Sequence, residues 1–400
     1  MKFTKLSRGV IAATTTLAMA LGLTSCARTY TVAYVYMTGS NKSAQGVITG
    51  YAVDYQTGAL VRIGNPTPAG VNPTRIVVSR DGLALFVVNT DDSTVQPFTI
   101  NGDGTLVAKT AVKVTGTVAT AAAIDQQGKF LYVTYTYQPG YSAANPGPGG
   151  VSIFAINSDY SLGTPSNLNL GNNPVAITTT MFNSFVYVVD QEQIPNATVL
   201  GFSQNTSTGA LTPVPGTSIT TQAGKTVATG FSAGTVPSAI AVAPTARFAY
   251  VTDQATNQLY GYVVSANGAL VSMVNGPFST GLFPVAITIE PRGSFMYVTN
   301  FNAGTVSAYA IDQATGSPTS SVGSTSVAVK PGPTCLSVDP ALGQYLYVSN
   351  SQDGTVSGLK LDSHNGGLSN IQNTPFPGSG TPTCVVTAPN GQHATQNVQP

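Results

Sequence analysis

The sequence predicts an all-β chain, a seven-bladed β-propeller built from four-stranded antiparallel blades. Three observations lead there. Charged residues are only 8% of the 400, while glycine contributes 42 and proline 26. With many β-branched residues, that composition reads as short strands joined by Gly, Pro and Asn turns. One phrase recurs six times along the chain: an apolar run led by Pro, a turn, then aromatic-Val-x-Asn/Asp. Finally, each end of the chain carries the missing half of a seventh copy.

The N-terminus precedes all of this. Lys2, Lys5 and Arg8 form a positive region, followed by the largely apolar stretch Val10 to Leu23. That stretch is too short to span a bilayer comfortably and suits the core of an export signal. It ends in Leu23-Thr24-Ser25-Cys26. Residues 1–25 are therefore expected to be a signal peptide. The mature chain keeps 13 Lys+Arg against 15 Asp+Glu, because three of the 16 basic residues leave with the signal. Such a balance offers no attraction for nucleic acid.

Next comes Tyr34-Val35 and the run Gly46 to Leu60, which supplies the later strands of a blade without a first strand. The six full copies come after it. Pro73 to Gly82 leads to Phe86-Val-Val-Asn89, and a degraded copy runs from Ala121 to Tyr132-Val-Thr-Tyr135. Pro174 leads to Tyr187-Val-Val-Asp190, and Pro237 to Tyr250-Val-Thr-Asp253. Pro284 leads to Tyr297-Val-Thr-Asn300, and Pro333 to Tyr347-Val-Ser-Asn350. Successive aromatic-Val pairs lie 46, 55, 63, 47 and 50 residues apart, the length of a four-stranded blade. Pro382-Thr-Cys-Val-Val-Thr-Ala388 is a first strand with nothing after it. The propeller thus spans 26–390, with a split blade from 31–60 plus 380–388 and a tail at 391–400. Six blades with ragged ends is the competing count, but the terminal halves complement each other.

Most polar residues of the repeat have structural work. The Asn/Asp at the end of each second strand is expected to bond backbone in the next loop. Asp-Gly and Arg-Gly close the first hairpin.

Two resemblances add to this reading. Leu23-Thr24-Ser25-Cys26 resembles the bacterial lipoprotein signal, which implies cleavage before Cys26 and a lipid on its thiol. Several acyl chains would then hold the protein at a membrane, in the periplasm or outer membrane of a Gram-negative-type bacterium. An ordinary secretory signal with an incidental cysteine is the alternative. Tyr297-Val298-Thr299-Asn300 is the tetrapeptide of the YVTN-repeat propellers. The full pattern, across about residues 31–390, resembles the seven-bladed lactonase family, which includes 6-phosphogluconolactonases.

That family implies a site at the central channel, with His, Arg and Glu around its mouth. In this chain the slot two residues after the leading Pro holds Arg75, Ala121, Ala176, Ala239, Ala286, Cys335 and Cys384. Arg75 is the one charged member. It either faces the channel to bind an anion or pairs with a carboxylate at the rim. The two histidines, His364 and His393, fall in an outer turn and the tail. Of the two glutamates, Glu290 sits in a hairpin turn, while Glu192 follows Asp190 in a long loop. Arg75, Asp190 and Glu192 are the catalytic candidates, and Tyr135, Tyr137 and Tyr141 of a neighbouring insertion are ligand-binding candidates. All are expected near one face of blades one to three. Cys335 and Cys384 occupy equal slots in adjacent blades, as a disulfide or as two buried thiols. No metal site and no cofactor are read from the sequence.

The function expected is a lipid-anchored extracytoplasmic binding or scaffold module for an unknown small molecule or protein. The alternative is a lactonase that hydrolyses a sugar or organic-acid lactone, with Arg75 polarising the carbonyl and a carboxylate holding the water.

Overall fold

A computed structural model describes residues 31–42, 44–182, 184–191, 197–222, 224–320 and 326–390. Cys26 and the signal, His393 and the tail, and Glu192 lie outside the described residues. Every regular element within them is a β-strand.

The strands of the blades form seven antiparallel sheets, each in the order first-second-third-fourth. A separate hairpin, Ser218–Gln222 with Lys225–Thr229, extends from blade 3. Blade 5 shows the common pattern, with strands Pro284–Ile289, Phe295–Asn300, Thr305–Ile311 and Pro318–Ser320. Blades 1, 2, 3, 4 and 6 open with Pro73–Val78, Thr117–Ile124, Pro174–Thr179, Pro237–Val242 and Pro333–Val338. Blade 7 is shared between the termini. Thr381–Pro389 is its first strand and pairs with Thr31–Asn41, which pairs in turn with Ala44–Asp54. Leu60–Val71 forms its outer edge. The seventh copy that the two ends imply is therefore one sheet.

Each first strand packs against the first strands of both neighbouring blades, so the seven close into a ring around the central channel. Closure leaves no sheet edge at the axis. The second strands are buried along their whole length in blades 1, 3, 4, 5 and 6. Among the described residues the apolar side chains fall into seven clusters, one per blade junction.

The repeated tyrosine explains how blades lock together. Its hydroxyl crosses to the next blade and donates to a glycine carbonyl in the outer hairpin turn. Tyr132 reaches Gly209, Tyr187 reaches Gly268, and Tyr250 reaches Gly316. Tyr297 reaches Gly366, Tyr347 reaches Gly58, and Tyr36 reaches Gly104. Burial pushes the pKa of each of these hydroxyls upward. The glycine is required twice over. It sits at positive φ, and a Cβ there would strike the aromatic ring two residues before the tyrosine. At Gly268, for example, that Cβ would lie 2.6 Å from the Phe185 ring.

The junction between blades 1 and 2 departs from this rule. Blade 1 has Ala84 and Phe86 where the others have an aromatic and a tyrosine. The turn of blade 2 has Tyr160 where the others have glycine, still at φ 66. Its ring packs on the cluster containing Phe86. Its hydroxyl donates to Asp81 of blade 1 at 2.6 Å. The large group has moved from the strand to the facing turn, and the inter-blade bond has moved with it.

The Asn/Asp slot differs from expectation in its partner. Asn89 and Asn300 accept from the amides of Gly70 and Gly281, and Asp253 from those of Thr235 and Val236. These lie in the connection entering the same blade, so the side chain pins the start of the first strand. Asp253 also takes the expected amide of the following loop, at Ala255.

Candidate functional site

The residues just after the leading proline shape the mouth of the channel. The register of the first two strands shifts between Pro73 and Arg75, and equally at Pro174, Pro237, Pro284 and Pro333. Such a bulge re-aims the side chain it carries. The bulged residue, or the one after the Asn/Asp slot, then builds a polar collar. Thr120, Ser238 and Thr383 donate to the carbonyls of Pro174, Pro284 and Pro73, the entry residues of the next blades. Thr90 does the same to Ala119 and Gln191 to Pro237. Five of the seven joints are linked this way, and the donors involved are spent on protein.

The collar is open at the joints after blades 6 and 5, and blade 5 has no polar side chain to close it. Its bulged residue is Val285, and Phe301 stands where blades 1, 3, 4 and 6 have Thr90, Gln191, Gln254 and Ser351. The equivalence is fixed by a shared backbone bond. Phe301 donates to Phe283 O as Thr90 does to Asn72 O and Ser351 to Gly332 O. Phe283 itself has φ 59, in the left-handed region that suits Asn72, Asn173 and Gly332. The two phenyl rings are 6.1 Å apart and tilted by 55°.

Phe283, Phe301 and Val285 wall one side of a cavity of about 310 Å³. Blades 6, 7 and 1 supply the rest, chiefly Thr334, Thr381, Pro382, Thr383 and Arg75. Arg75 also lines the narrower waist below, about 150 Å³, which the alanines of the slot surround. The waist leads to a lower cavity of about 470 Å³. There Arg80 is committed to structure, donating to the carbonyls of Ile124 and Asp125 and to Thr179.

Arg75 is different. Its guanidinium donates to the neighbouring Thr74 carbonyl at 2.9 Å and meets no carboxylate among the described residues. Of the two readings open in the sequence, it faces the channel. Burial lowers its pKa, by desolvation alone, but a guanidinium stays charged at any physiological pH. The mouth therefore holds a cation with hydrogen-bond donors to spare. No His, Asp or Glu lines the mouth or the waist among the described residues.

The other expected site residues are elsewhere. Asp190 ends the second strand of blade 3, fully buried opposite Pro174, in the slot that pins strand entry. Tyr135 is a core residue, with its ring wedged between Gly116 and Gly150. Tyr137 is half-buried where blade 2's second strand pairs with Thr117. Tyr141 packs on Gly147 with Lys225 over its ring at 5.9 Å. None of these lines the mouth cavity, which lies on blades 5, 6, 7 and 1 rather than on one to three. Cys335 and Cys384 are joined, Cα to Cα 4.8 Å, and tie blade 6 to the closing strand. His364 is exposed in an outer turn beside Asp362. Glu290 accepts from the amides of Arg292 and Ser294 and closes its own hairpin. Among the described residues no group of three or more His, Cys, Asp or Glu is placed to hold a metal.

Sequence reasoning singled out Arg75, which lines the channel, and did not single out Phe283 or Phe301. The missing signal was a comparison between blades of the residue before the proline with the residue after the Asn/Asp slot.

A family model described as a seven-bladed β-propeller lactonase matches residues 34–168 and 196–338. No curated protein sequence matches the chain. Solved structures share its fold. A Bacteroides uniformis protein provisionally named a 6-phosphogluconolactonase is 16% identical, with a TM-score of 0.72 over 90% of this chain and 100% of that one. The periplasmic gluconolactonase PpgL of Pseudomonas aeruginosa is 16% identical, with a TM-score of 0.68 over 89% and 99%. A Lactobacillus plantarum protein is 18% identical, with a TM-score of 0.70 over 90% and 99%.

Proposed function

The chain belongs to the seven-bladed lactonase propeller family, and from that premise we propose that it is a binding module which captures a small organic anion at the channel mouth. In this reading a lipid on Cys26 holds it at a membrane outside the cytoplasm. The apolar run ending in Leu23-Thr24-Ser25-Cys26 supports the anchor. A periplasmic neighbour of the same fold supports the compartment.

The observation that carries the reading is Arg75. A charged group in a largely apolar channel costs free energy unless something compensates it. Among the described residues nothing of opposite charge does. An anionic ligand would supply the missing charge and take a two-pronged bond from the guanidinium. Lactone hydrolysis also needs a group to activate water. Apart from Arg75, the described lining offers threonine and serine hydroxyls and apolar side chains instead.

The family and the named neighbours give the lactonase reading its own support, so one experiment should treat both. Purified protein lacking residues 1–25, with Cys26→Ser, is titrated with a panel of organic acids by calorimetry. It is also incubated with a matching panel of lactones. Binding of an acid that Arg75→Gln abolishes, with no lactone opened, is the expected result. Turnover of any lactone that Arg75→Gln removes would replace the binding reading with the hydrolase.

A further inference from the structure

The mouth also indicates what kind of anion it takes. Resting on the reading of the mouth as a binding site, we propose that its ligand is an aromatic carboxylate, with the acid on Arg75 and the ring against Phe283 and Phe301.

The argument starts from what the wall lacks. A sugar acid carries several hydroxyls, and each must exchange water for a protein partner on entering the cavity. The collar hydroxyls nearest to it are already used. Thr383 donates to Pro73, and Thr334 shares a hydrogen bond with Ser349 at 2.9 Å. Thr74 is bonded to Thr90 and Ser351 to the Gly332 carbonyl, which leaves the Thr381 hydroxyl beside Val285, Pro382 and the two phenyl rings. Such a wall accepts an apolar body and leaves few free partners for the several hydroxyls of a polyol.

The phenyl pair adds a preference among apolar bodies. The rings are tilted by 55° to each other, and aromatic rings pack favourably on one another in tilted arrangements, so a third ring suits this wall. The Phe283 backbone is held in place from both sides. Its amide donates to Asn257 of blade 4 at 2.7 Å, and its carbonyl accepts from Phe301. A bulky residue at φ 59 is strained, and strain of this kind gathers at ligand sites. Val118 of blade 2 shares the conformation, at φ 60, but lies outside the mouth cavity.

The sibling blades supply clean variants. Phe283→Asn installs the residue that blades 1 and 3 carry at this φ, and Phe301→Thr installs the residue of blade 1. Both should fold. Calorimetry would compare benzoate, cyclohexanecarboxylate, benzamide and gluconate on the wild type, on the double variant and on Arg75→Gln. Benzoate is expected to bind at least tenfold more tightly than cyclohexanecarboxylate or gluconate, and benzamide to give no heat. The double variant should lose about tenfold for benzoate alone, and Arg75→Gln should lose every acid. If gluconate or cyclohexanecarboxylate matched benzoate, or the double variant bound benzoate unchanged, the aromatic class would fall while the binding site stood. If no acid bound, or Arg75→Gln bound them all, both would fall together.

Discussion

The chain departs from its own repeat most clearly at two places, and the departures differ in kind. At the junction of blades 1 and 2, Ala84 and Phe86 replace an aromatic and a tyrosine, and Tyr160 replaces a glycine. Volume lost on one side returns on the other, and a lost inter-blade hydrogen bond returns as Tyr160 to Asp81. At the mouth, blade 5 puts Phe301 into a slot that is polar in blades 1, 3, 4 and 6, with Phe283 and Val285 beside it. No neighbouring change restores the polar link, and the backbone of Phe283 is strained. A compensated departure keeps the packing the same by other means. An uncompensated one costs stability and calls for a benefit outside folding. Variation between repeats thus points to function only after its local compensation has been checked.

The sharpest way to break the comparison is to undo one half of the compensated swap. Ala84→Phe forces a ring into space filled by Tyr160 and should cost about 3 kcal/mol. Tyr160→Gly leaves a void and removes the hydrogen bond to Asp81 Oδ2, at a cost of about 3 kcal/mol. Together they rebuild the common junction, so denaturant unfolding should show most of both costs recovered. Simple additivity would mean that the two positions do not compensate each other.

A smaller effect tests the common junctions themselves. Tyr250→Phe removes the donor to Gly316 and should cost about 1–2 kcal/mol, because the buried carbonyl is left unpaired. Phe86→Tyr, by contrast, should gain little, since that junction already has its inter-blade hydrogen bond from Tyr160 to Asp81. Equal responses at the two junctions would contradict the assignment.

The uncompensated region predicts the opposite sign. Phe283→Asn relieves a left-handed aromatic and should raise stability by about 1 kcal/mol while weakening ligand binding. A loss of stability would show that Phe283 is held there for packing.

The smallest effect is in acid. Burial disfavours the Asp81 carboxylate, but hydrogen bonds from Ser79, Tyr160 and the Leu83 amide together bring its pKa below the ordinary 3.8. A carboxylate so lowered contributes stability that is fully present above its unfolded value. That contribution disappears as the pH falls through the lower folded value. Unfolding curves below about pH 4 should therefore fall less steeply for Asp81→Asn than for the wild type.

Much of the architecture was legible because the repeat writes it six times over. The leading proline, the hairpin turn and the Tyr-Val pair fix strands one and two wherever they recur. The half-blades at 31–60 and 380–388 needed only to be added. Arg75 was legible for the same reason, as the odd member of a seven-fold slot. The mouth was not, because its second wall joins positions 18 residues apart, Phe283 and Phe301, which flank the repeated strands and vary in residue type from blade to blade. Only the backbone bond between them shows that they are partners. The insertion tyrosines drew attention by density, but Tyr135 proved to be core, since the bulk of an aromatic strand residue is most easily buried between blades.

The split blade has a consequence in time. Thr38 bonds Thr383 across 345 residues, and the disulfide partner Cys384 sits beside it. A chain made from its N-terminus can stack blades 1 to 6 early, but its ring stays open until residues 381–389 arrive. Contacts of such sequence separation form slowly. The last strand is therefore the step expected to limit the rate of folding. Until it docks, the Thr31–Asn41 strand waits with an unpaired edge, and a second copy's closing strand would fit there equally well.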